Sequence, residues 1–437
     1  MYTAKFKWMR LAMVLVLGLL AFAPLASVQP AKADAPTTGI ICTYGPNFYL
    51  TAQPGYIQMS DMNTVYMWSY GTGATAGNFQ YPGPVLCVNE GDTVTINLHN
   101  SLPYGLPTSL IFPGQENVMA NGVLAQPDLA NDSLTTSVAN GGDITYSFVA
   151  NRPGTFIYES GTDTKTQVPM GLASVLIVHP SMGADFVYNR TDDQFTPDEE
   201  FMAFLSEVDP YQHSAWEKSG GKGKNYNLNN YRAYYWLLNG RGFPDTMADN
   251  NASWMPNQPY GALARIHPFN NDPGAGAAYH PYPAVERFIN VGSEEYPFHP
   301  HGQNGQVVGR DGYPLEGPGG EDLAYENFLV NIGPGQTWDV LFAWHDAEAY
   351  DPITNPVDVT VPDLANVTIG MFYSGSPYLG YQQTMPPGTT TLNQCGEYYI
   401  ISHNHALFQL DAFGQTLAGP ITYLRIDPPL GPGNTCP

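Results

Sequence analysis

Positive charge is scarce in this 437-residue chain: 16 lysines and arginines stand against 39 aspartates and glutamates, a net of −23. That balance excludes nucleic acid and anionic membrane surfaces as natural partners, because both demand a basic face. Cysteine is limited to four residues and histidine to ten. No G-x-S-x-G, no H-E-x-x-H and no glycine-rich phosphate loop occurs, which removes the serine-hydrolase, zincin and P-loop classes. Past residue 33 no segment sustains the 3.6-residue period of an amphipathic helix, so a helical bundle is excluded as well.

What is present begins with the N-terminus. Lys5, Lys7 and Arg10 precede the apolar run LAMVLVLGLLAFAPLA, and Ala31-Lys32-Ala33 offers small residues at a cleavage site. The run is shorter than the roughly 20 residues of a spanning helix and contains Pro24. Residues 1–33 are read as a cleaved signal peptide, which predicts a secreted, periplasmic or cell-surface protein with no membrane span after cleavage. Removing them takes away Lys5, Lys7, Arg10 and Lys32 and no acid, leaving 12 basic and 39 acidic groups, a net of −27. Such acidity keeps an exported protein soluble, and it also draws cationic substrates such as metal ions.

Four cysteines in an exported chain are most simply two disulfides. Among three connectivities, the positions favour Cys42 with Cys87 and Cys395 with Cys436, although sequence leaves the other pairings open. A thiolate metal ligand would want histidines nearby, and Cys42 and Cys87 have none within ten residues.

Gly (45) and Pro (39) punctuate short apolar runs throughout. TVTINLH (93–99) and DITYSFVA (143–150) alternate apolar and polar residues, while ASVLIVHP (173–180) is nearly continuous, as suits a strand buried on both faces. A second block of strands follows in YRAYYWLLNGRGFP (231–244), ERFINV (286–291), FLVNIGPGQTWDVLFAW (328–344), NVTIGMFY (366–373) and GEYYIIS (396–402). The expected fold is all-β with two tandem β-sandwiches, the first over 34–185 and the second over 231–437. Residues 186–230, which include the polar TDDQFTPDEE (191–200), are expected to be linker and loop.

Five fragments, in order, resemble the multicopper oxidase (laccase-like) family: YPGPVLCVNEGDTVTINLHN, RPGTFIYESGTDTKTQVPMGLASVLIVHP, LLNGRGFPDT, ERFINVGSEEYPFHPHGQNGQVVGRDG and IGPGQTWDVLFAW. The resemblance covers most of residues 40–410 and identifies the sandwiches as two cupredoxin-like Greek-key domains of a divergent member. In active members it implies a blue copper that accepts electrons and a three-copper cluster that reduces O₂. Function lives in sites, so the ligands are compared position by position. Where the family's first-domain histidine pairs fall, this chain has Ile111-Phe112-Pro113-Gly114 and Glu159-Ser160-Gly161. Where the last-domain pairs fall, His299 and His301, and His403 and His405, occupy the cluster positions. The blue-copper positions are occupied by Tyr296, Asn404 and Gln409, which supply neither thiolate nor imidazole.

His299, His301, His403 and His405 are therefore the predicted metal ligands. An H-x-H spacing on a strand puts both side chains on one face, and imidazole suits copper, the ion the resemblance implies, as well as zinc or iron. The number of ions is left open. The expected function is an exported copper-binding protein with a degenerate site lacking blue copper, which oxidises phenols or metal ions with O₂ if active. The alternative is a non-catalytic metal-binding or surface-assembly module. Its partner would be a small-molecule or metal-ion substrate, and family members of this size suggest a homo-oligomer. Of the other histidines, His213 near Glu207 and Asp209 is expected to cap a turn, and His267 and His280, flanking a Pro/Gly-rich loop, to be solvated.

Overall fold

The computed structural model describes residues 37–220, 222–270, 280–345 and 398–427. The predicted signal peptide, the expected strand NVTIGMFY and the predicted Cys395–Cys436 bond lie outside the described residues.

Ten strands occupy the first half: β1 (Cys42–Tyr44), β2 (Asn47–Gln58), β3 (Thr64–Thr72), β4 (Val85–Asn89), β5 (Thr93–Asn100), β6 (Met119–Ala120), β7 (Val123–Leu124), β8 (Asp143–Val149), β9 (Gly154–Glu159) and β10 (Ala173–His179). They form two sheets, ordered β1-β4-β10-β9 and β3-β2-β5-β8-β6-β7. The period of two seen in the sequence is obeyed: Val94, Ile96 and Leu98 of β5 and Ile144, Tyr146 and Phe148 of β8 all point inward. Strand β10, between β4 and β9, is buried at every position, as its continuous apolar run requires. Cys42 and Cys87 form a disulfide, joining neighbouring strands β1 and β4.

Among the described residues twelve strands follow: β11 (Glu200–Val208), β12 (Tyr235–Leu238), β13 (Ala264–Ile266), β14 (Ala284–Asn290), β15 (Tyr296–Pro300), β16 (Gly305–Arg310), β17 (Tyr313–Pro314), β18 (Tyr325–Asn327), β19 (Val330–Ile332), β20 (Thr337–Phe342), β21 (Tyr398–Asn404) and β22 (Ile421–Ile426). One sheet runs β12-β11-β14-β20-β16-β17 with β18 beside β16, and the other β13-β22-β21-β15-β19. Between them sits a core that includes Phe288, Tyr296, Phe298, Val330, Val340 and Ile400. The protein is thus two tandem cupredoxin-like Greek-key β-sandwiches.

The expected linker is the point of departure. Residues 200–208, EFMAFLSEV, form β11, an interior strand pairing in parallel with β14 and antiparallel with β12, buried from Phe201 onward. A strand covered on both faces shows no alternation, and the acidic TPDEE before it masked the apolar run. The helix Pro210–Lys218 comes next. It is started by Asp209, whose side chain accepts the amide hydrogens of Tyr211 and Gln212, and by proline at its first position. Capping rather than hydrophobic period specifies it, so the search for a 3.6-residue repeat passed over it.

The two sandwiches share a buried apolar layer in which Val85, Ile157, Val175 and Ile177 of the first meet Met202, Phe204, Leu237 and Ile289 of the second. A polar node crosses the same boundary. Arg287, 1% exposed, reaches Asp339 at 3.0 Å and Glu200 at 2.6 Å, while Thr155 and Tyr188 donate to Asp339 at 2.5 and 2.6 Å. Because every partner is sheltered, breaking one leaves an uncompensated buried charge. The node locks β9 of the first sandwich against β14 and β20 of the second.

Candidate metal centre

Strand β15 reads Tyr-Pro-Phe-His-Pro, and its alternate residues Tyr296, Phe298 and Pro300 are buried. Those residues hold the strand on the core, so Pro297 and His299 must face outward, and His301 continues on that side. Strand β21 does the same, with Ser402 and Asn404 buried and His403 and His405 turned out. The two strands pair antiparallel with His299 directly opposite His403. Register and alternation together bring the four predicted imidazoles onto one face of the five-stranded sheet.

Ring centroids lie 4.7 Å apart for His299 and His301, 5.1 Å for His301 and His403, 5.5 Å for His299 and His405, and 5.6 Å for His403 and His405. Two tautomers follow from the partners. Nδ1 of His299 faces the Phe328 carbonyl at 2.5 Å, and Nδ1 of His403 faces the Asn404 carbonyl at 2.9 Å. A carbonyl only accepts, so both Nδ1 atoms carry the proton and both Nε2 atoms are left unprotonated, as acceptors. Backbone orientation of the outer nitrogen is how proteins commonly aim a ligating imidazole. His301 Nε2 then donates to His403 Nε2 at 3.1 Å.

Burial and the neighbouring imidazoles push His301 down to about 4, and burial likewise lowers His403. Both rings are therefore neutral at ordinary pH, the protonation state that a metal ligand needs. His301 and His405 are exposed and His299 and His403 half-buried, so the face opens to solvent. The ring of Phe328 packs edge-on against His299 at 5.7 Å and forms an apolar rim.

The inner face of the same strands carries the blue-copper positions, and it holds no sulfur. Tyr296 donates its hydroxyl to Glu207 at 2.8 Å; Asn404 donates its amide to Gln409, whose own amide reaches Glu294 at 2.7 Å. The Asn404–Gln409 bond places the two residues together. Burial pushes the Glu207 carboxyl up to about 7 despite hydrogen bonds from Ser293 and Tyr296. These amides and oxygens, with Asn404 Oδ1 left without a partner, do not fit a copper that needs thiolate and two imidazoles.

On the first sandwich the two expected ligand segments do come together, but without ligands. Ile111 and Glu159 bridge as neighbours, and a Cβ added to Gly161 would lie 2.6 Å from Ile111 Cγ2. Around them is a closed hydroxyl cluster: Thr162 donates to Ser109 at 2.9 Å, Ser109 and Ser133 lie 3.1 Å apart, and Ser160 donates to Gln167 at 2.7 Å. Glu159 is the one remaining donor, and burial raises its carboxyl to about 7. This region fits no imidazole-bound metal.

Two further expectations are corrected. His213 caps no turn: it lies inside the helix, buried, with Nδ1 2.6 Å from the Tyr66 carbonyl and Nε2 3.1 Å from that of Pro169. His267 and His280 are not simply solvated, for both converge on Glu199. With Glu199 they form a cluster of three side chains whose ligand atoms all lie within 4.8 Å of one another. Nothing in the spacing predicts it, since 68 residues and a sheet separate the carboxylate from the first imidazole.

Comparison with known proteins places these sites in context. Residues 61–183 match the family model described as multicopper oxidase. The chain is similar to the iron transport multicopper oxidase fetC of Epichloe festucae, 34% identical over 117 residues, and to the laccase abr2 of Aspergillus fumigatus, 30% identical over 119. Those stretches cover 27% and 26% of this chain but only 17% and 18% of the relatives. The fold is shared more widely: the multicopper oxidase mgLAC superposes with a TM-score of 0.55 at 19% identity, covering 89% of both chains. A blue copper oxidase from Nitrosomonas europaea gives 0.55 at 17% identity, over 87% of this chain and 85% of its own.

Proposed function

We propose that the chain is a divergent multicopper oxidase, residues 61–183 being similar to that family's model, and that it is an exported copper-binding protein whose metal is held by His299, His301, His403 and His405. The observation that carries this reading is the pairing of His299 against His403, with both Nε2 atoms left unprotonated by backbone carbonyls at Nδ1. Bound copper would supply a one-electron redox couple. The protein's own contribution is to keep His301 and His403 neutral, to fix two ring tautomers, and to leave His301 and His405 open to an arriving phenol or metal ion. The acidic surface supports a cationic substrate, and the Cys42–Cys87 bond supports folding in an oxidising compartment. Among the described residues no helix is long and apolar enough to cross a membrane.

A second reading, non-catalytic metal binding, is favoured by the packing of Ile111 against Gly161 and by Tyr296, Asn404 and Gln409, which offer neither thiolate nor imidazole. The relay from thiolate-bound copper to a three-copper cluster is absent on this assignment, so substrate must meet the four-histidine metal directly. Loading the purified protein with Cu(II), counting bound metal, and following O₂ uptake with a phenolic dye and with ferrous ion separates the readings. Copper with O₂ uptake supports oxidation, and copper without it leaves the binding module. Metal content that is unchanged in His301→Ala/His403→Ala refutes the ligand assignment. No intense band near 600 nm is expected, since that colour needs a copper–thiolate bond, so about zero blue absorbance is the prediction.

A further inference from the structure

We propose that Glu199, His267 and His280 form a second, separate metal site for a divalent transition ion, a clip that ties the two sheets of the second sandwich together. Glu199 precedes β11, His267 follows β13 and His280 stands just before β14, so the three donors come from both sheets. Their ligand atoms all lie within 4.8 Å of one another. Nδ1 of His267 is 2.7 Å from Glu199 Oε1 and Nδ1 of His280 is 3.0 Å from the same oxygen, with the rings 4.3 Å apart.

Two observations separate this cluster from an ordinary ion pair. The Glu199 side chain is 3% exposed, yet it faces two imidazoles and takes its remaining bond from the His267 amide at 2.9 Å. The Nδ1 atom of His280 is shut off from solvent and has no properly aligned hydrogen-bond partner, although it is aimed into the cluster. A ligating nitrogen held dry beside a carboxylate, 3.0 Å away but poorly aligned for a hydrogen bond, is the arrangement that a metal completes.

Two imidazoles and one carboxylate are the donor set of open zinc and ferrous sites. At bond lengths of about 2.0–2.1 Å, tetrahedral donors stand about 3.3 Å apart, so each nitrogen need move from the carboxylate oxygen by only about half an ångström to admit an ion. The ring edges, 38% and 29% exposed, give it a way in and leave a coordination position for water. The site shares no residue with the four-histidine face and stands whether or not that face binds copper.

The test uses the full-length, metal-stripped protein carrying His301→Ala and His403→Ala, titrated with Co²⁺ and, separately, with Zn²⁺. One Co²⁺ with an intense visible d–d spectrum, and a rise in melting temperature with Zn²⁺, are expected. Adding His280→Gln or His267→Gln, both on partly exposed rings, should weaken Co²⁺ binding by about tenfold or more and abolish the melting shift. Circular dichroism reports that each variant is folded. A weak, octahedral-type spectrum, or binding that both glutamine variants leave untouched, overturns the proposal.

Discussion

Glu286 offers a direct way to read the electrostatics of this core. It lies within β14, paired with Phe201 of β11 and Val340 of β20, and its side chain is buried with Oε2 lacking any hydrogen-bond partner. Burial pushes its carboxyl from 4.5 up to about 8. Because the folded-state value is raised, the folded protein keeps a proton that the unfolded chain has released between pH 4.5 and 8. The stability this contributes is present in full below pH 4.5 and is lost as pH rises to about 8. The loss runs at about 1.4 kcal/mol per pH unit and reaches a ceiling of about 5 kcal/mol, which water penetration would reduce toward about 3. Glu286→Gln keeps the shape and removes the ionisation. Urea unfolding of both proteins at pH 5, 7 and 8.5 should find them within about 1 kcal/mol at pH 5 and the variant more stable by about 3–5 kcal/mol at pH 8.5. Asp193, Glu207 and Glu159, also raised to about 7, steepen the profile of both proteins alike, so the difference between them isolates Glu286. Parallel stability profiles for the two proteins would refute the reasoning.

The other predictions address particular joints of the fold. Cys42→Ser with Cys87→Ser opens a loop of 45 residues and should cost about 4 kcal/mol of chain entropy, measured by urea unfolding. Asp339→Ala strands Arg287, Thr155 and Tyr188 and should cost about 3–5 kcal/mol, uncoupling the two sandwiches into separate calorimetric transitions. Gly161→His places a ring against Ile111 and should destabilise by about 1–3 kcal/mol; adding Ile111→Ala should recover part of that loss, whereas an unrelated cavity variant should not.

Much of the fold was legible because the pattern of each strand is set by its own surroundings. β5, β8 and β10 were readable from alternation or from a continuous apolar run, and the register of β15 from its H-x-H spacing. β11 was missed since a two-sided burial erases alternation, and the helix at Pro210–Lys218 since its specification is a cap rather than a stripe. The four predicted imidazoles meet as their spacing implied. His267 and His280 were misread for lack of any local mark of Glu199.

By itself, the sequence determined which chemical groups exist and which side of a strand each one faces. Set beside the family that the chain resembles, those groups place no thiolate at Asn404 and no imidazole at Ile111 or Gly161. Only the tertiary structure decided what fills those places, because contacts between residues far apart in the chain carry no local periodicity. It set Ile111 against Gly161, bound Asn404 to Gln409, and drew Glu199 to His267 and His280 across two sheets. Side-chain direction is local physics, while side-chain company is decided by how the sheets close.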